Sequence, residues 1–181
     1  EPVEFVGAYF GVPSVEKSGY VDLREEKGKL TDKPMELLLY ESPTKKYIWH
    51  WAEIPPDPKV KKLMPEIDLQ YVITEHNVPD NKTACWNHSI FPPGSQHHKH
   101  MHKYADEVAY VVRGYCILGL TIEGVDVEFV AGPGTAVWAK RGQPHWHRNP
   151  FNEPVEFVGA YFGVPSVEKS GYVDLREEST K

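Results

Sequence analysis

Residues 97–102 read His-His-Lys-His-Met-His, and no other stretch constrains the chain as strongly. Imidazole is the commonest protein metal ligand, and a hydrophobic core has no use for such a tract. His100 and His102 are separated by a single residue. On an extended strand that spacing sends both rings to the same face. Glu107 follows shortly after, and His145 arrives beyond a second glycine-rich stretch. Three imidazoles and a carboxylate suit Fe(II), Mn(II), Ni(II), Cu(II) or Zn(II). Taken alone, a His-x-His pair is better read as surface histidines, so the surrounding frame decides.

That frame is specific. Gly94 is followed by Ser95–Lys99, then His100-Met101-His102, then Lys103–Asp106 and Glu107, with Gly114 closing the segment. Later come Gly134, Thr135–Ala139, Lys140, Gly142, His145 and Asn149. The stretches 94–114 and 134–149 resemble the two motifs of the cupin superfamily, and the chain looks like a small single-domain, metal-binding member. Lys140, where proline is usual, is the one departure, and it touches no ligand position. The resemblance implies an antiparallel double-stranded β-helix, or jelly-roll barrel. It also implies that His100, His102, Glu107 and His145 hold one divalent transition metal, with Fe(II) favoured and Mn(II), Ni(II), Cu(II) or Zn(II) as alternatives. Glu107 either ligates that metal or acts as a base toward substrate.

An all-β fold is expected independently. From Gln70 onward, short β-prone runs alternate with glycine and proline turns. Strands are predicted over 71–74, 84–91, 108–112, 115–122, 125–130, 135–139, 145–149 and 157–164. Glu123-Gly124 marks a hairpin. Lys59–Leu63 reads as a helical turn, and short strands are expected over 36–40 and 47–51, joined by a turn at 41–44. If Glu107 points inward, so do Ala109 and Val111.

Residues 1–26 recur unchanged at 153–178. We read the second copy as native, because it follows the second motif where a barrel needs its closing strand. The first copy is an engineered addition or a strand able to exchange. Residues 27–35 are a linker, and 27–181 form one cupin domain.

Composition excludes several classes. The chain has 181 residues and a net charge of −6, with no basic stripe, so nucleic acid is not an expected partner. No run approaches the ~20 apolar residues of a membrane span, and no signal-peptide pattern opens the sequence. Only two cysteines occur, Cys85 and Cys116, which fits reduced thiols in a cytoplasmic protein. A homodimer is expected, since small β barrels hide sheet edges by pairing them.

Several other residues have weaker signals. His147 shares parity with His145 and is, with Glu107, the candidate acid–base group. His98 shares parity with His100 and could substitute as a ligand, while His97 is expected to be exposed. Phe91, Trp138 and Trp146 could form an aromatic wall, though ordinary core packing is the preferred reading for each. Lys140 and Arg141 could hold an anionic substrate at the mouth. The expected function is a metal-dependent enzyme, a non-haem iron dioxygenase acting on a small acid, ketone or phenol with dioxygen as co-substrate. A redox-neutral isomerase, lyase or decarboxylase is the alternative, followed by a non-catalytic small-molecule binder.

Overall fold

The computed structural model describes Gly7, residues 50–78 and residues 80–176. The first copy of the repeat, the linker, the strand expected over 36–40 and its turn lie outside the described residues, apart from Gly7.

Among the described residues the chain forms one short helix and ten strands. These are α1 (Pro58–Leu63), β1 (Asp68–Ile73), β2 (Ala84–Phe91), β3 (Gln96–His102), β4 (Asp106–Arg113) and β5 (Cys116–Ile122). After them come β6 (Val125–Ala131), β7 (Ala136–Ala139), β8 (His145–Arg148), β9 (Val155–Phe162) and β10 (Tyr172–Asp174). All pairings are antiparallel, in two five-stranded sheets ordered β1-β2-β9-β4-β7 and β10-β3-β8-β5-β6. The expected jelly roll is therefore the observed fold.

Local chemistry explains the elements. Asp57 caps α1 by accepting the Lys59 and Val60 N–H groups, and Pro58 opens it with the φ that a first turn needs. Glu123 and Gly124 both have positive φ, the conformation of a two-residue turn that matches strand twist. Gly114 also has positive φ, and a Cβ there would run into the Pro154 carbonyl, so only glycine fits. At Lys140 the departure from proline is stabilising locally: its N–H donates to Gln143 Oε1 at 3.1 Å, which proline could not do. Asn149 is almost fully buried and staples the β8–β9 loop, donating to the Phe91 and Glu153 carbonyls and accepting from Phe151 N–H.

Alternation then builds the interior. On β4, Glu107, Ala109 and Val111 are buried while Val108, Tyr110 and Val112 are less so, as parity predicts. Val111 packs with Ile67, Leu69, Phe91, Leu118, Val155 and Phe157 in a closed apolar core. Burying each large side chain there is worth about 1.5–3 kcal/mol. The second repeat copy supplies β9, hydrogen-bonded to β2 on one side and β4 on the other, and β10, paired with β3.

Two expectations are corrected. Of the strand expected over 47–51 only His50 and Trp51 are described, and they form the cap and first residue of a 3-10 turn at Trp51–Glu53, with Trp51 stacked on His88 at a centroid distance of 4.0 Å. β3 is not regular either. His97 pairs with His147 and His100 with His145, so two residues on β3, His98 and Lys99, face one on β8, Trp146. This bulge reverses the parity of the histidine tract.

Candidate metal centre

β3, β4 and β8 bring His100, His102, Glu107 and His145 together in the interior. Their ligand atoms all lie within 4.8 Å of one another, and each residue is buried. Glu107 Oε2 sits 2.9 Å from His145 Nε2, 3.1 Å from His102 Nε2 and 4.0 Å from His100 Nε2. All three imidazoles turn Nε2 inward because Nδ1 is held from behind. His100 Nδ1 lies 2.7 Å from the His98 carbonyl, and His145 Nδ1 lies 2.9 Å from the Gln143 carbonyl. A carbonyl only accepts, so Nδ1 of each has the proton; Nε2 of His100 is left with its lone pair, while Nε2 of His145 meets the Glu107 carboxylate. His102 Nδ1 is paired differently, at 2.7 Å from the Ser170 hydroxyl.

Two buried atoms here have no hydrogen-bond partner: His100 Nε2 and His102 Nε2. The Glu107 oxygen is near His102 but not aligned for a hydrogen bond. A buried polar atom without a partner costs about 1–3 kcal/mol. Lone pairs converging beside a carboxylate are what a divalent cation requires, so the residues fit a bound metal.

Electrostatics agree. Burial opposes ionisation of Glu107, but the His145 and His102 imidazoles outweigh it and hold the carboxyl well below its usual range. Burial alone would lower His145; Glu107 more than reverses that and raises it. His100 is pushed well below its ordinary value by burial, then by His97 and His145.

A cavity of about 200 Å³ leads from His102 to the surface. Its wall includes Val60, Met64, Leu69 and Val167 together with Tyr71, Tyr161 and Tyr172. Burial raises the Tyr71 and Tyr161 hydroxyls well above their normal range, so both remain neutral donors. A smaller void of about 20 Å³ lies behind Glu107, lined by Asn87, Ser89, His97 and His147 among others.

The bulge places the remaining histidines. His97 is 9% exposed and stacks on His100 with centroids 3.8 Å apart, against the expectation of an exposed ring. Burial lowers His97 to about 3. His98 lies on the other side of the strand and offers only its carbonyl. His147 points inward as parity predicts, but it lines the small void rather than the larger cavity. Burial lowers it to about 4. Of the expected aromatic wall only Phe91 is interior. Trp146 is buried as expected of a packing residue, but on the outer face of its sheet against Gly119, bonded to Glu128 beneath Lys99, and Trp138 is exposed. Arg141 pairs with Asp106, and neither it nor Lys140 lines the cavity. Cys85 and Cys116 are unpaired, and burial pushes both thiols up to about 12, which leaves them unreactive.

Sequence reasoning missed Tyr71, Tyr161, Ser170 and Tyr172. Tyr161 had a usable signal, since it lies opposite Glu107 in the β4–β9 register. Ser170 and Tyr172 had none.

Two antiparallel sheets around a buried three-histidine, one-glutamate cluster define a metal-binding β-barrel class. Within it, residues 87–161 match the cupin-domain family model, and this stretch is a cupin domain. A search of curated proteins gave no match. Solved structures share the fold. An oxalate oxidase in complex with glycolate is 18% identical with a TM-score of 0.53, over 61% of this chain and 55% of its own. The Bacillus subtilis oxalate decarboxylase studied for its Mn(II) centres is 18% identical with a TM-score of 0.58, over 69% of this chain and 31% of its own. A predicted oxalate decarboxylase from Thermotoga maritima is 21% identical with a TM-score of 0.52, over 65% of this chain and 99% of its own. The chain thus spans about half of the first and a third of the second. Among the described residues no helix is long and apolar enough to cross a membrane.

Proposed function

We propose that this protein is a metal-dependent enzyme, a non-haem iron dioxygenase acting on a small organic acid, ketone or phenol. The observation that carries the reading is the pair of buried, unpartnered Nε2 atoms facing Glu107 at the foot of an open cavity. His100, His102, Glu107 and His145 would hold the ion, and Fe(II) so held supplies redox chemistry with dioxygen. The chain's own part is to position and to exclude water. Backbone carbonyls fix Nδ1 of His100 and His145 as the protonated nitrogen, the Ser170 hydroxyl orients His102, and the apolar cavity wall strips solvent from the bound substrate. Glu107, ionised and buried, neutralises part of the cation's charge. Its alternative role is to take a proton at Oε2. A cytoplasmic homodimer belongs to the same proposal.

A second reading has its own support. His97 lies between the larger cavity and the small void, and it is neutral at physiological pH. A ring held near 3 is a weak base, so in a redox-neutral isomerase, lyase or decarboxylase His97 would pack on His100 and orient it, and Glu107 or His147 would move the proton. Relatives of this fold include oxalate decarboxylases, one of them studied for Mn(II), which makes Mn(II) the natural metal for that chemistry.

Oxygen uptake separates the two readings. Iron-loaded protein is expected to consume dioxygen with small phenols, enols or ketones in proportion to product. Anaerobic turnover with Mn(II) or Zn(II) would displace the oxygenase reading in favour of the second.

A further inference from the structure

The cavity's chemistry is lopsided. Inside, its wall is aliphatic and aromatic, with Val60, Met64, Leu69 and Val167 around the three tyrosines. Charge is confined to the rim and is already used there. Lys59 Nζ is 3.3 Å from Glu168 and largely exposed, and the Asp57 carboxylate caps α1. Among the described residues, no unpaired cation lines the interior of this cavity to meet a second negative charge.

The polar features inside are hydroxyls. Tyr161 is 3% exposed, with its ring edge-on to His102 and centroids 4.8 Å apart. Tyr71 lines the same cavity from β1. Neither hydroxyl has a hydrogen-bond partner among the described residues. Neither hydroxyl is among the sealed, unpartnered buried atoms, and both residues line the open cavity, which leaves the donors to solvent or to a bound ligand. Tyr172 completes the enclosure, stacked over His100 with centroids 5.1 Å apart.

We infer that the cavity takes a molecule with one oxygen-bearing head (a carboxylate, enolate or phenolate) on an apolar body, and that Tyr161 and Tyr71 donate to that head. The inference rests on the metal-centre reading and narrows its substrate class. An apolar body replaces water along the aliphatic wall. The head is met by the cluster at the foot of the cavity and by two donors that are otherwise unpaired. A compact dianion gains little from the wall and finds no free cation for its second charge, so it is selected against.

Protein loaded with Co(II) tests this, because the d–d absorption of the ion reports both metal binding and ligand binding. Benzoate serves as the single-headed apolar probe and malonate as the compact dianion. Benzoate is expected to bind at least about tenfold more tightly, a difference of about 1.4 kcal/mol. Tyr161→Phe and Tyr71→Phe are each expected to weaken benzoate about tenfold while leaving Co(II) affinity unchanged. Malonate binding as tightly as benzoate, or both phenylalanine variants binding benzoate like the parent, overturns the inference. A parent protein without the Co(II) band overturns the metal-centre reading itself, and that is seen before any ligand is added.

Discussion

His102 is held unlike its two neighbours, and the difference has consequences. Backbone carbonyls fix His100 and His145, whereas His102 depends on the Ser170 hydroxyl, which can donate as well as accept. Ser170→Ala removes that partner from the buried Nδ1 side of the His102 ring. Metal affinity in a competition titration is expected to fall about tenfold or more, with the fold intact by circular dichroism. A second residue-scale consequence concerns pH. His97, His100 and His147 are buried with lowered pKa values, about 3 and about 4 for the first and last. Below pH ~6.5 the unfolded chain protonates these imidazoles and the folded chain does not, so stability falls as pH drops, by up to about 1.4 kcal/mol per group per pH unit. His145 has the opposite sign: its pKa is raised, so its contribution is present at low pH and lost as pH rises through the folded value. Glu107, held low, contributes above its unfolded value and loses that only as pH falls through its folded pKa. The lowered histidines outnumber His145. Urea midpoints of the metal-free protein should therefore drop steeply from pH 7 to pH 5, and His147→Phe should flatten the drop.

At the scale of elements, β3 shows where sequence reading succeeds and where it stops. Glycine and proline turns and β-prone runs placed β2, β4, β5, β6 and β9 closely, because those signals are local. Parity on β4 was legible for the same reason: the strand is regular from Glu107 to Val111. The β3 bulge was not legible. It arises from pairing with β8, nearly fifty residues away, and it turns His97 inward and His98 outward. His98→Ala is therefore expected to leave metal stoichiometry and affinity unchanged, since only its carbonyl reaches the site; elemental analysis and titration check this. The four ligands were readable because two motifs frame them. Ser170 and Tyr172 were not, because a 3-10 turn at Val167–Lys169 and the three-residue strand β10, far along the chain, bring them to His102 and His100.

At the scale of the whole molecule, the repeated segment matters most. Its second copy forms β9 in the middle of one sheet and β10 at the edge of the other, and it contributes Tyr161, Ser170 and Tyr172 around the histidines. We propose that this copy is the native one and completes the domain. Removing residues 1–26 should then leave the melting temperature within about 2 °C of the parent and the metal content unchanged, whereas a shift larger than the roughly 4 °C typical of 1 kcal/mol would give the first copy a structural role. The central claim is the metal centre itself. Elemental analysis of protein purified without chelator or histidine tag, and again after reconstitution, addresses it directly beside a His100→Ala/His102→Ala variant. About one divalent transition metal ion per chain, lost in the variant, is the predicted result. A parent chain that stays metal-free after reconstitution, or a variant that binds metal as the parent does, would contradict it.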